Sequence, residues 1–203
     1  IMSNSNNNNL DLERLSKIFE NTSATYKYYW SLALLDNVVK NKRKSVSFAE
    51  MITNMMGLAW RTVNNTELSF GHHDSMRREI DNLRKYLNIP ANADKETVIE
   101  IILKNAERER VMNSLKIFYE NVPYRFLSPW IRFTNKSEVA KLSQLYLNNC
   151  IYAIEEERII LNPAYIYFVI TNYISLQDFA YQGLVQFLEK RNPQVENIYS
   201  MIK

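Results

Sequence analysis

Glycine is scarce in this chain, with only three among its 203 residues. Folds use glycine where the backbone takes a positive φ or passes close to a ligand, so sheet-rich and phosphate-cradling folds need it repeatedly. Helices joined by Asn, Ser and Pro turns do without it. A hydrophobic content of 46% is enough to bury one sizeable core. The sequence therefore predicts a mainly α fold, an irregular multi-helix bundle.

Apolar residues recur at helical spacing along most of the chain. Ser47 and Glu50 have the spacing of a capping box, which begins a helix, and Asp74 is in position to cap another. Residues 104–110 are densely charged, which predicts either a solvated bulge or a break in the helix around them. The predicted helices are 10–20, 24–40, 47–63, 74–87, 95–121, 137–149, one that starts at Asn162-Pro163, and 175–190.

Two segments depart from the helical pattern. Residues 122–130 (VPYRFLSPW) combine two prolines with bulky apolar groups. Because proline disfavours a continuous helix, we expect a packed irregular corner there. Residues 150–161 predict a small β-hairpin whose turn is the acidic run 155–157. Three adjacent carboxylates are able to bind a divalent ion, or they form a solvated turn. The sequence leaves both interpretations open.

The domain organisation follows from composition. Residues 1–9, mostly Asn and Ser, predict a disordered tail. Residues 10–191 predict a single helical domain, and residues 192–203 the start of a linker to a C-terminal domain that this chain lacks. The sequence contains no run of about 18 apolar residues, so it predicts no membrane-spanning helix. Cys150 is the single cysteine, which excludes an internal disulfide. A cytoplasmic protein without a membrane partner is the resulting expectation.

No complete catalytic or metal-binding motif is present. The two histidines, His72 and His73, are adjacent, whereas chelation from a helix needs them four residues apart. Restriction-type nuclease cores need an acidic residue two positions before a lysine, and HNH units need histidines on a ββα unit. The chain has neither pattern, no cysteine pair for zinc and no glycine-rich phosphate loop. We expect no cofactor in this chain. A small enzyme built around His72, His73 and Asp74 is one remaining alternative.

Clusters of basic residues are the main functional signal. The net charge is only +3, so the local grouping of charges matters more than their total. Phosphate binding needs such charges on one face, where they release counterions, and neighbouring aromatic rings can stack on bases. The candidate nucleic-acid-binding residues are Lys42, Arg43, Lys44, Arg77, Arg78, Arg84, Lys85, Tyr124, Arg125 and Arg132. A solvated polar helix face is the alternative interpretation of the group around Arg77.

Four segments together carry a family resemblance: residues 23–30 (SATYKYYW), 68–71 (LSFG), 122–130 (VPYRFLSPW) and 190–198 (KRNPQVENI). Their order resembles the N-terminal region of bacterial HNH endonuclease domain proteins. In that family the nuclease unit follows the last of these segments, so the resemblance implies a divalent metal only for that absent domain. It carries no catalytic residue over to this chain. It also implies a nuclease domain in cis and a role in restriction or phage defence.

The leading hypothesis is a non-catalytic DNA-binding or target-recognition module of an HNH-type endonuclease, in which residues near Arg77 and Arg125 hold phosphates. The rival is a protein-interaction or oligomerisation module, which would make the chain a homo-oligomer. Its motivation is the load of Trp, Tyr and Met, residues enriched in interface cores.

Overall fold

The computed structural model describes residues 11–145 and 148–203, and the predicted tail at 1–9 lies outside them. The described residues form a mainly helical fold with a small antiparallel sheet, which confirms the predicted architecture. The helices are α1 (Leu12–Ser16), α2 (Tyr26–Leu35), α3 (Phe48–Asn65), α4 (Met76–Leu87), α5 (Lys95–Lys104), α6 (Glu109–Phe126), α7 (Lys136–Ser143), α8 (Pro163–Thr171), α9 (Tyr173–Glu189) and α10 (Ile198–Ile202). A π-helical turn, Asp36–Lys40, continues α2.

Helices α2 and α3 form the centre of the core. Helix α2 is apolar around most of its circumference and packs against α3, α6 and α9. Trp30 from α2 and Trp60 from α3 are fully buried. The Trp60 indole N–H donates to the carbonyl of Pro90 at 3.0 Å, so the loop after α4 is tied to the core. The aromatic stripe of residues 26–30 is therefore mainly core.

The sheet has three strands, β1 (Ser45–Ser47), β2 (Tyr152–Glu155) and β3 (Arg158–Leu161), in the order β1-β3-β2. Strands β2 and β3 confirm the predicted hairpin. Strand β1 was not predicted, because its three residues leave no alternating pattern to read; it forms by antiparallel pairing, with Val46 opposite Ile159. It leads directly into α3, where the capping box is confirmed: Ser47 Oγ accepts from Glu50 N, and Glu50 Oε2 accepts from Ser47 N.

The expected corner at 122–130 is only half correct. Helix α6 runs through Pro123 to Phe126, so the prediction that proline stops the helix near 121 was wrong. Pro123 cannot donate to the carbonyl four residues earlier, but only three helical residues follow it, so the missing hydrogen bond lies in the last turn of α6. Its carbonyl accepts from the Tyr152 hydroxyl at 2.7 Å, which ties the end of α6 to β2. The chain leaves the helix only at Leu127 and then forms tight turns to Ile131.

Several helix boundaries also differ from prediction. The predicted helix 95–121 is two helices, α5 and α6, so the charged stretch 104–110 holds a break rather than a bulge. Helix α1 is shorter than the predicted 10–20. Helix α9 begins at Tyr173 rather than at residue 175, directly behind α8. Within 192–203, the short helix α10 buries Ile198 and Ile202 and contacts α9 and α3.

Candidate functional site

The side chain of Arg77 has a structural role. Its guanidinium donates to three backbone carbonyls at the end of α3 and just beyond it: Val63 at 2.6 Å, Thr66 at 3.0 Å and Leu68 at 2.9 Å. The last carbonyls of a helix have no partner within the helix, so this side chain caps α3. Its donors point into the protein rather than toward a ligand.

The other basic residues of α4 are distributed around the helix. Arg78 pairs with Glu79 at 2.8 Å and also donates to the Ser75 hydroxyl. Arg84 is 3.8 Å from Asp81. Lys85 is exposed and has no ion pair among the described residues. Arg78 and Arg84 thus have carboxylate partners within α4, whereas Lys85 does not.

The loop before β1 places its three basic residues in solvent. Arg43 pairs with Glu50 at 2.9 Å, so its charge is partly balanced by the α3 capping box. Lys42 and Lys44 are exposed, and neither has an ion pair within residues 11–145 and 148–203. Lys42 has a left-handed backbone with φ of 52°. These two lysines remain candidates without a defined cavity.

Arg125 lines a cavity of about 380 Å³ between the start of α2 and the end of α6. Its guanidinium stacks over the Phe133 ring at 4.4 Å, and its Nε donates to Asn121 Oδ1 at 3.4 Å. Lys27 enters the same cavity from α2 and donates to the Ser128 hydroxyl at 2.9 Å. Arg132, on the turn that follows, is exposed. Because Lys27 and Arg125 line it together, we call this cavity the Lys27–Arg125 pocket.

The electrostatics of the Lys27–Arg125 pocket are unusual for two cations. Neither residue has an ion pair within the part of the chain that the structure describes. Burial, and then the nearby positive charge of Arg125, lower the pKa of Lys27 from 10.5 to about 8. Glu20 is the one carboxylate among the described lining residues, and it forms no ion pair with Lys27 or Arg125. Lys27 is therefore a half-buried cation without a paired carboxylate, next to the exposed Arg125.

Lys27 was not among the site residues predicted from the sequence, because it lies within an aromatic stripe that is otherwise core. Lys27 is also the only charged residue between Asn21 and Leu35, which is the one signal available in the sequence. A lone charge in an apolar helix has to reach a surface or a cavity. Ser128, which accepts a hydrogen bond from Lys27, lies in the proline-containing segment 122–130.

The four segments at residues 23–30, 68–71, 122–130 and 190–198 contact one another in pairs. Lys27 reaches Ser128, as above. Asn192 forms a two-bond bridge to the backbone of Ser69, accepting from its N–H at 2.7 Å and donating to its carbonyl at 2.9 Å. Gly71, with φ of 92°, packs against the Arg191 side chain, where a Cβ would meet Nε at 2.6 Å. Most of these motif residues maintain the fold, and the Lys27–Ser128 contact also opens onto a cavity.

Asp74 has a structural role at the start of α4. Its carboxylate accepts from the backbone N–H of Thr25 at 2.6 Å, from the Thr25 hydroxyl at 2.7 Å and from Met76 N at 2.7 Å. Burial raises the pKa of Asp74, although these hydrogen bonds act to lower it. His72 and His73 are exposed on the preceding turn. Within residues 11–145 and 148–203, no group of three His, Cys, Asp or Glu side chains is arranged to hold a metal ion.

Tyr124 lines a second, larger cavity of about 1150 Å³, which also contains Tyr119 and Glu157. Burial, with Glu157 adding to it, raises the pKa of Tyr119 to about 12 and also raises that of Tyr124. The last turn of α6 therefore presents Tyr124 to this cavity and the next residue, Arg125, to the Lys27–Arg125 pocket.

Comparison of the chain with protein families, with characterised proteins and with solved structures yields no match. None of the helices in the described ranges combines the length and the apolar character that a membrane-spanning segment requires.

Proposed function

We propose that this domain binds DNA through its phosphates, and that Lys27 and Arg125 hold one phosphate group between them. The observation that carries this proposal is that the two cations share a cavity in which no acidic side chain of the described residues pairs with either. A phosphate would supply the missing negative charge and accept hydrogen bonds from both side chains.

The energetics favour a ligand over a purely structural role. Lys27 is half-buried beside the exposed Arg125, which costs folding free energy that no carboxylate of the described residues offsets by pairing with it. Such local costs are common where a site is arranged for a partner of opposite charge. The first turn of α2 also lines the pocket, and a helix N-terminus carries partial positive charge that favours an anion.

The proposed role within a larger protein rests on the resemblance to HNH endonuclease domain proteins. We infer that the domain positions DNA for a nuclease unit in cis and contributes no catalytic group itself. Restriction or phage defence would be the setting, and the cytoplasm the compartment, in keeping with the single reduced cysteine. These inferences depend on DNA binding, which is therefore the first property to test.

Fluorescence anisotropy with labelled DNA at low salt tests the proposal. We expect Lys27→Met and Arg125→Met each to weaken binding by about ten-fold, since a charge-assisted contact to phosphate is worth roughly 1.5 to 3 kcal/mol. Lys141→Met is the matched control, because Lys141 is exposed on α7 and lines neither cavity. Absence of DNA binding by the unmodified protein, or an equal loss in the control variant, would refute the proposal.

A second candidate function, oligomerisation, is favoured by an exposed apolar surface on α8 and the start of α9. Tyr167 and Ile170 of α8 are 76% and 49% exposed, and Ile174 of α9 is 64% exposed. The stretch 159–177 contains no charged residue, and depletion of charge is typical of interface cores. Sedimentation analysis should then show a dimer that Tyr167→Lys disrupts. A monomer at all accessible concentrations would reject this function.

A further inference from the structure

The larger cavity beside the Lys27–Arg125 pocket has the features of a second binding site. It occupies about 1150 Å³, and the described part of the chain lines it from α3, α5, α6, α7 and the β2–β3 turn. Tyr124 lines this cavity and Arg125 lines the pocket, so only the last turn of α6 separates the two. Asn121 and Arg125 line the pocket, whereas Leu115 and Tyr119 line the larger cavity, so the two lie against different faces of α6 and a strand would reach both only by crossing the end of this helix. We call the larger cavity the tyrosine cleft.

An aromatic wall forms one side of the tyrosine cleft. Tyr119 and Tyr124 pack edge-on against the buried Phe48 ring, with centroid distances of 6.3 and 5.9 Å. The hydroxyl groups of both tyrosines have no hydrogen bond to any described residue, and both side chains are half-buried. Aromatic faces next to a nucleic-acid path are typical stacking platforms for unpaired bases.

The lining of the cleft is mixed in charge, because Glu107, Glu120 and Glu157 line it together with four basic residues. Lys104, Arg108 and Lys136 line it, and none of the three has an ion pair within residues 11–145 and 148–203. Lys116, which also lines the cleft, is 4.0 Å from Glu120. Lys104, Arg108 and Lys136 therefore remain available to a phosphate backbone, which binds through cations of this kind.

Glu157 places a carboxylate at the mouth of the cleft from a strained turn. Glu156 and Glu157 have φ of 43° and 59°, the left-handed region in which a two-residue hairpin turn favours Asn and Gly. The Glu157 carbonyl accepts from Phe48 N at 2.7 Å, so the backbone at this residue is fixed against the aromatic wall. Unfavourable backbone conformations of this kind are retained where the side chain they position has a use.

We propose that the tyrosine cleft binds an unpaired guanine base of single-stranded DNA, with Glu157 accepting hydrogen bonds from it; this rests on the proposed DNA binding. Guanine presents two adjacent donors on its Watson–Crick edge, N1–H and the N2 amino group, which match the two oxygens of a carboxylate. The other DNA bases offer a single donor group on that edge. In a duplex this edge is already paired, so the cleft selects single strands.

Anisotropy with three labelled oligonucleotides of about 11 nucleotides tests this proposal. One is oligothymidylate, one has a single central guanine, and one has hypoxanthine there, which lacks the N2 amino group. We expect the guanine strand to bind about ten-fold more tightly than oligothymidylate, as for a bidentate base contact, and the hypoxanthine strand to lose most of this preference.

Two variants of the β2–β3 turn distinguish base recognition by the Glu157 carboxylate from a role of this residue in folding. Glu157→Gln should reduce the guanine preference to about one, because an amide replaces one acceptor by a donor. Glu156→Gln is the matched control: it removes the same charge from the same turn, does not line the cleft and should keep the preference. The preference is the affinity for the guanine strand divided by the affinity for oligothymidylate. Losing one negative charge changes both affinities similarly, so this ratio removes the general electrostatic effect.

The outcomes distinguish this inference from the proposed function. If oligothymidylate binds in a manner dependent on Lys27 but guanine gives no preference, or if Glu157→Gln keeps the preference, the guanine site is refuted and DNA binding stands. If neither single-stranded nor duplex DNA binds at low salt, the proposed function fails, and the guanine site with it.

Discussion

Lys27 and Arg125 bring two positive charges into one cavity, where the Lys27 ammonium donates to the Ser128 hydroxyl at 2.9 Å and pairs with no carboxylate of the described residues. The pKa of Lys27 falls to about 8, chiefly through burial. The arrangement costs stability in the free protein and becomes favourable once an anion is bound. Stability and binding should therefore respond in opposite directions to changes at Lys27.

Lys27→Met should stabilise the free protein while weakening its binding to DNA. The methionine retains most of the apolar stem and removes a half-buried charge that repels Arg125. With allowance for solvent screening, we expect a gain of about 1 kcal/mol, or a rise in Tm of about 2 to 4 °C for a chain of this length. Differential scanning calorimetry measures it. A lower Tm would mean that the ammonium is a structural element.

The affinity for DNA should fall as the pH rises through about 8, because the ammonium form of Lys27 holds the phosphate. Bound phosphate favours that form and moves the midpoint upward. Lys27→Arg should bind with little pH dependence, since a guanidinium stays charged throughout. Anisotropy titrations at constant ionic strength test this. Equal pH profiles for the two proteins would contradict it.

The same pKa also predicts the direction in which stability changes with pH. The pKa of Lys27 is about 8 in the folded protein and 10.5 ordinarily. Between pH 8 and 10.5, Lys27 binds more protons in the unfolded chain than in the folded protein. The contribution of Lys27 to the free energy of unfolding therefore increases with pH. The difference in unfolding free energy between Lys27→Met and the unmodified protein should therefore shrink over this window, as urea titrations will measure.

Asp74→Ala should destabilise the protein by about 2 to 4 kcal/mol. The carboxylate accepts from the backbone N–H groups of Thr25 and Met76, and its loss leaves two donors without partners at roughly 1 to 3 kcal/mol each. Asp74→Asn keeps one acceptor oxygen and should lose less. Urea unfolding distinguishes the two variants. An alanine variant as stable as the unmodified protein would exclude this role.

Arg77→Met should reduce stability by about 2 to 3 kcal/mol without changing the salt dependence of DNA binding. Its guanidinium donates to three carbonyls at and beyond the end of α3, and those acceptors would be left without it. Lys85→Met, on the same helix, is the control and should stay within about 0.5 kcal/mol. A reduced salt dependence in the Arg77 variant would show that Arg77 contacts DNA phosphates and would contradict this assignment.

Local signals account for the parts of the fold that the sequence predicted. Three such features depend only on residues that are close in sequence. They are the capping box at Ser47, Pro163 at the first position of α8 and the hairpin at 150–161. Tertiary contacts decided the rest. Helix α6 continues through Pro123, whose carbonyl accepts from Tyr152, and β1 exists because Val46 pairs with a strand more than 110 residues away.

The candidate site was predictable only in part, for the same reason. Charge clustering identified Arg125, but it selected Arg77 equally, and only the structure distinguishes an arginine that caps a helix from one that faces a cavity. Lys27 was hidden in a core-like stripe. Its relation to Arg125 joins residues about 100 positions apart, which periodicity and spacing cannot reveal.

The salt dependence of DNA binding tests the central claim most directly. Each phosphate contact contributes about one unit to the slope of log K against log salt concentration. We predict that a Lys27→Met, Arg125→Met double variant loses about one to two units of slope relative to the unmodified protein, measured between about 50 and 200 mM salt. An unchanged slope, with Lys141→Met as reference, would show that phosphates are held elsewhere and contradict the account.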